Sequence, residues 1–134
     1  MVDKAFQDYY ADDYSHCYGC GRLNEQGHQI KSYWDGEESV CRILPETHYS
    51  GGMKDILYGG LIASLIDCHG AGTAAAAKAR ELGIVLEPGA MPRFVTASLH
   101  VDYMKPTPVG LEVELRATVE EIKGRKVTVS VTLT

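Results

Sequence analysis

The sequence has no basic run. Its 13 Lys and Arg are outnumbered by 18 Asp and Glu, for a formal net charge of -5. Nucleic-acid binding needs clustered cations, so a nucleic-acid partner is not expected. No apolar stretch approaches the ~20 residues that cross a bilayer, so neither a transmembrane helix nor a membrane partner is expected. The N-terminal stretch Met1–Tyr14 is acidic and aromatic. It has neither the basic n-region nor the apolar h-region of a signal peptide. One C-x-x-C occurs and no second. Four cysteines without a secretory signal fit a reducing compartment better than a disulfide scaffold, and the expected localisation is cytoplasmic.

What is present is an ordinary globular composition, 45% hydrophobic and 23% charged over 134 residues. That is enough for one domain with a real core, read here as 1–134. Residues 1–27 are rich in Asp, Tyr, Gly and Cys. They predict a short helix near Lys4–Tyr14 followed by an ordered Cys/Gly loop packed on it. His28–Trp34 and Glu38–Leu44 read as strands joined at Asp35-Gly36. A loop, Pro45–Leu57, precedes a helix running from about Gly60 to Leu82, with Gly83 as its stop. Three segments then alternate with period two and read as antiparallel strands: Phe94–Lys105, Leu111–Ile122 and Lys126–Thr134. The turn Lys123-Gly124-Arg125 joins the last two, and a further strand would lie beyond Thr134. The small residues Gly70, Ala71, Gly72 and Ala74–Ala77 would let a curved sheet approach the helix closely. The expected class is α+β, one long helix buried against an antiparallel sheet.

The residue that stands out is Asp67, inside the apolar helix. An unpaired buried carboxylate costs several kcal/mol, so the acid is either a structural group bonded to its neighbours or a general base or nucleophile. Gly59 and Gly60 open the same helix, where amides lack intrahelical partners and favour negative charge. They either make a tight entry turn or offer an oxyanion site. Asp67 follows Gly59 by eight residues, ~12 Å along a helix. One carbonyl cannot touch both, so joint action requires two antiparallel helices from two subunits, and a symmetric dimer would hold two sites.

Other candidates carry competing readings. His69 is two residues from Asp67 and points to another helix face, which disfavours a direct dyad. His100, on the Phe94–Lys105 strand, either lines a pocket or is a partly exposed structural residue. Lys105, Arg125 and Lys126 are either solvated charges or phosphate contacts at a pocket mouth. Cys17-x-x-Cys20 with His16 could be half of a zinc site or a redox pair. Only Cys41, Cys68 and scattered histidines remain to complete four ligands, so no metal is expected and the thiols read as small packing residues.

The order Tyr58-Gly59-Gly60, Leu65-Ile66-Asp67 and Val95-Thr96-Ala97-Ser98-Leu99-His100-Val101-Asp102-Tyr103-Met104-Lys105-Pro106 resembles the hotdog-fold acyl-CoA thioesterases. The nearest branch is the phenylacetic-acid-pathway type of the 4-hydroxybenzoyl-CoA thioesterase superfamily. His16-Cys17-Tyr18-Gly19-Cys20-Gly21 resembles the opening of many bacterial members. The resemblance covers roughly residues 16–134 and implies a long central helix wrapped by a curved antiparallel sheet. It implies Asp67 as general base or nucleophile, Gly59 as oxyanion donor and Thr96 as the hydroxyl that places water. Tyr58, Gly60, His100, Lys105 and Arg125 would contact substrate. The family usually carries His-Gly-Gly, and Tyr58 stands at the first position. The implied activity is hydrolysis of an acyl-CoA thioester by a homodimer or homotetramer, with no cofactor beyond the substrate's own coenzyme A. The alternatives are a non-catalytic acyl-CoA or lipid-binding protein and a hotdog dehydratase or hydratase.

Overall fold

The structure, a computed structural model, describes residues 4–134. Two single turns of 3-10 helix, Phe6–Tyr9 and Asp12–Tyr14, lead into β1 (Tyr33–Asp35) and β2 (Glu38–Ile43). Helix α1 (Gly59–Glu81) follows, then β3 (Val113–Lys123) and β4 (Lys126–Leu133). The four strands form one antiparallel sheet in the order β1-β2-β3-β4. Gly36 and Gly124, with φ of 67° and 62°, supply the left-handed residue of the two hairpin turns. Between the hairpins β2 pairs with β3, Ser39 opposite Ala117, so the sheet closes around the helix connection.

The 23-residue helix buries one side against this sheet. Leu61, Ile62 and Leu65 pack with Ile30, Cys41, Leu57, Val113 and Leu115. Lys78 and Arg80 in its last turn complement the negative end of the helix dipole. Gly83, at φ 67°, then turns the chain away, and the Ile84 amide donates back to the Ala79 carbonyl. A second core forms where Phe6 and Met91 fill the alanine face at Ala75, Ala76 and Ala79, with Trp34 edge-on to Phe6. The small residues were expected to admit the sheet. Gly70 does face Val131 of β4, but Gly72 faces Gln7 and Tyr10. The small stripe mainly admits the N-terminal segment.

One fully buried histidine joins these layers. Ser32 Oγ lies 2.8 Å from His69 Nδ1 and Ser39 Oγ lies 3.1 Å from Nε2. Thr73 Oγ1 donates to the His69 carbonyl, and Ser39 Oγ lies 2.6 Å from Thr73 Oγ1. Because Thr73 spends its proton on the carbonyl, Ser39 donates to Thr73 and accepts from His69 Nε2–H. Ser32 accepts from Gln7 Nε2 and donates to Nδ1. The proton directions close only for a neutral His69 with hydrogen on Nε2. Burial pushes its pKa down to about 4, against a hydrogen bond to the Ser39 carbonyl.

Three expectations are corrected. The Lys4–Tyr14 helix is two separate 3-10 turns. The Asp8 carboxylate accepts from the Ala5 amide and so caps the start of the first turn, which ends where the chain becomes extended at Tyr10 and Ala11. The His28–Trp34 strand shrinks to Tyr33–Asp35, because the amides of His28 and Ile30 donate to Tyr18 and Gly19 carbonyls, and Ser32 accepts from Phe6. Phe94–Lys105 joins no ladder among the described residues. Its alternating pattern finds no sheet partner among them, and Val95, Leu99, Tyr103 and Met104 stay exposed.

Leu65→Ala should cost about 2–5 kcal/mol, as a cavity-forming substitution at a fully buried position. A lower urea midpoint at unchanged m-value would register it. His69 predicts an acid dependence. The unfolded histidine takes up its proton near 6.5, the folded one only near 4. The unfolded state therefore binds more protons between these values. Stability is complete above pH 6.5 and falls as pH drops toward 4, by about 3 kcal/mol at most. Urea unfolding across that range should show the slope, and His69→Gln should flatten it.

Candidate functional site

Asp67 sits midway along α1, and Phe94–Lys105 runs back across the helix in front of it. Thr96 Oγ1 donates to Asp67 Oδ1 at 2.5 Å. Seven residues on, Tyr103 Oη donates to the Gly59 carbonyl at 2.8 Å. This one segment therefore touches both Asp67 and Gly59. The carboxylate is half-buried rather than sunk in the core. It borders a cavity of about 210 Å³ shared with Thr96, Cys17, Cys20 and Cys68, with Met91 and Phe94 on the apolar wall. A short carboxylate–hydroxyl pair at the edge of an apolar cavity can hold and deprotonate a water.

The glycine pair lies at the helix start. The first helical bonds run from the Leu61 and Ile62 amides to the Tyr58 carbonyl, so the amides of Gly59 and Gly60 precede the hydrogen-bonded ladder. Both glycines accommodate aromatic rings of their own chain. A Cβ on Gly59 would come within 3.3 Å of the Tyr103 ring, and one on Gly60 would run into the Tyr58 ring. Gly60 thus makes room for Tyr58, which stays half-exposed over it.

The remaining candidates do not gather at this cavity within one chain. His100 is exposed and lies 3.1 Å from Asp102 Oδ1, so it does not line the cavity. Lys105 lies beside the glycine end of the helix, where the Leu57 amide donates to Thr107. Arg125 and Lys126 lie at the opposite end. Their turn is held by Lys78 Nζ donating to the Gly124 carbonyl at 2.7 Å. Lys105 and Arg125 of one chain therefore cannot share one pocket mouth. His69 faces the sheet, away from Asp67, and leaves no dyad.

The cysteine arrangement was not foreseen. Sequence separation hid the meeting of Cys68, on the helix, with the Cys17-x-x-Cys20 turn. The three sulfurs lie within 4.8 Å of one another. Cys17 and Cys68 sulfurs are 3.7 Å apart, and the Gly19 amide donates to Cys17 Sγ at 3.3 Å. Hydrogen bonding from the Cys68 thiol pulls Cys20 down to about 7, against the effect of burial. The same bond, together with burial, pushes Cys68 up. The available signal was Gly19, a glycine inside the C-x-x-C that leaves room for a close neighbour.

Comparison with known proteins fits this architecture. The Thioesterase superfamily model matches residues 54–134. A thioesterase superfamily protein from Shewanella loihica PV-4 is 44% identical, with a TM-score of 0.70 over 92% of this chain and 86% of that one. A second solved thioesterase superfamily protein, 22% identical with a TM-score of 0.65, covers 89% of this chain and 55% of its own and shares the fold. The acyl-coenzyme A thioesterase THEM4 of Rattus norvegicus is 37% identical over 94 residues, 70% of this chain, and the match spans about a third of that relative's length, 34%. The long helix on a four-stranded antiparallel sheet is the hotdog fold, and the chain belongs to the thioesterase superfamily.

Proposed function

We propose that this chain is an acyl-CoA thioesterase of the phenylacetic-acid-pathway-type branch, acting in the cytoplasm at a site shared by two subunits. The observation that carries the reading is the Asp67–Thr96 pair at the rim of an apolar cavity. The likeness to a rat acyl-coenzyme A thioesterase supports it. In this reading the Asp67 carboxylate takes a proton from a water held by Thr96. The hydroxide attacks the thioester carbonyl, whose oxygen gathers negative charge at the amide of Gly59 from the other subunit. The carbon–sulfur bond then breaks, giving free acid and coenzyme A, with the proton passing to the thiolate. A second route has Asp67 attack the carbonyl itself and form an anhydride that water opens. Label found in Asp67 after single-turnover hydrolysis in ¹⁸O-water identifies an anhydride opened at the Asp67 carbonyl, which the water route cannot produce.

Two observations favour an inter-subunit site. Asp67 and Gly59 stand ~12 Å apart on one rigid helix, beyond the reach of one carbonyl. Among the described residues the extended Phe94–Lys105 segment pairs with no strand, and it exposes apolar residues, with Val95 75% and Met104 85% accessible. A second copy would pair that edge. The rival reading is a non-catalytic acyl-CoA-binding protein. It draws on Tyr58, whose phenol, standing where the family usually has histidine, cannot act as a base near neutrality without a large pKa shift.

Asp67→Asn should lower thiol release from acyl-CoA by on the order of 10²–10⁴-fold while acyl-CoA binding persists. Unchanged turnover would remove Asp67 from the mechanism. A wild-type protein that binds acyl-CoA without releasing thiol, across short, long and aromatic acyl groups, would establish the binding role. Val95→Glu together with Leu99→Glu should yield a monomer by light scattering and lose turnover with Asp67 intact. A monomeric wild type with full turnover would overturn the shared site.

A further inference from the structure

The C-x-x-C turn and the helix meet in a way that neither packing nor thioester hydrolysis requires. Cys17 and Cys20 come from the N-terminal loop and Cys68 from the middle of α1, and their sulfurs converge to within 4.8 Å. The approach is specified by glycines. A Cβ on Gly19 would strike the Cys68 sulfur, and one on Gly21 would strike the backbone of Cys17 and Ser15. The Gly21 amide donates to the Cys17 carbonyl at 2.8 Å, which curls the turn so that both its sulfurs face the helix. The Gly19 amide points at Cys17 Sγ from 3.3 Å, the N–H···S contact that stabilises charge on a ligating sulfur.

One of the sulfur separations matches that of two ligands on a single metal ion. Zinc–thiolate bonds of ~2.3 Å in a tetrahedron place their sulfurs ~3.8 Å apart. Cys17 and Cys68 already stand 3.7 Å apart, and neither is in a disulfide. Thiolate ligands select thiophilic ions. The sulfurs border the cavity that also holds Asp67, so a fourth ligand position faces open space.

We propose that Cys17, Cys20 and Cys68 form a three-thiolate site for Zn²⁺ beside the Asp67 cavity, with its fourth position toward that cavity. The site is independent of the hydrolytic reading, and no step of hydrolysis is routed through it. It also replaces the metal-free expectation that followed from counting ligands along the sequence. The fold brings Cys68 to a half-site that looked incomplete.

The test uses the full chain, reduced with a phosphine and desalted under nitrogen. Zn²⁺ alone is added, excess removed, and retained zinc measured by elemental analysis. Competition with a chromophoric chelator gives the affinity, and Co²⁺ in place of zinc reports the ligands by absorption. The expected result is one ion per chain and a near-ultraviolet thiolate-to-cobalt charge-transfer band. Cys20→Ser and Cys68→Ser should each weaken binding by on the order of 100-fold or more and lose intensity in that band. Cys41→Ala, which removes the one cysteine whose sulfur is not among the three that converge, should leave both unchanged. Failure of the reduced wild type to retain zinc overturns the site even if every variant misfolds. So does zinc retention that survives both Cys20→Ser and Cys68→Ser, or a cobalt spectrum without a thiolate band. Thiol release from acyl-CoA is scored separately, so loss of the hydrolytic reading leaves this result standing.

Discussion

The orientation of the helix depends on the neutral His69. Its ring is anchored at both nitrogens, to Ser32 on one side and Ser39 of β2 on the other, and Gln7 reaches the same network through Ser32. The apolar core alone would tolerate some rotation of α1, because alanine and glycine faces carry little shape. A buried polar network tolerates almost none, since each misplaced donor loses a hydrogen bond among side chains closed off from the surface. Fixing His69 fixes the positions one and two residues earlier. Cys68 is thereby turned toward the C-x-x-C loop and Asp67 toward Thr96.

The N-terminal segment belongs to this arrangement rather than decorating it. Phe6 closes the second core, Gln7 enters the histidine network and Tyr10 lines the cavity. Lys31 ties back to Asp8 at 2.8 Å, and Arg22 donates to the Tyr10 carbonyl. The strand that the sequence pattern suggests at 28–32 is spent on holding this segment, which is why β1 is short. The site cavity therefore has walls from the N-terminal loop, the central helix and the segment after it, three parts that are far apart in sequence.

Much of the layout was legible because it is local. The Asp35-Gly36 and Lys123-Gly124-Arg125 turns, the alternation in β3 and β4, and the stop at Gly83 each act over a few residues. Asp67 was legible for the same reason, as a charge out of place in an apolar period. The failures involve partners distant in sequence. Phe94–Lys105 alternates like a strand, but alternation reports a wish for a partner and does not supply one within the chain. Small residues at 70–77 signal a close approach without saying what approaches. Cys68 carried no signal beyond its type, and its convergence with Cys17 and Cys20 emerges only when the helix is set against the N-terminal loop.

The pairing of β2 with β3 has a consequence for how the molecule assembles. The two hairpins are local and can form early, but joining them means closing a loop that contains the entire helix and the segment after it. Loop closure of that length comes before most of the contacts that reward it. The helix must be formed and correctly rotated when the hairpins meet, since Ser39 on β2 reaches both His69 and Thr73. The central helix is thus a template on which the sheet is completed, and this non-local pairing predicts slow folding for a chain of modest length.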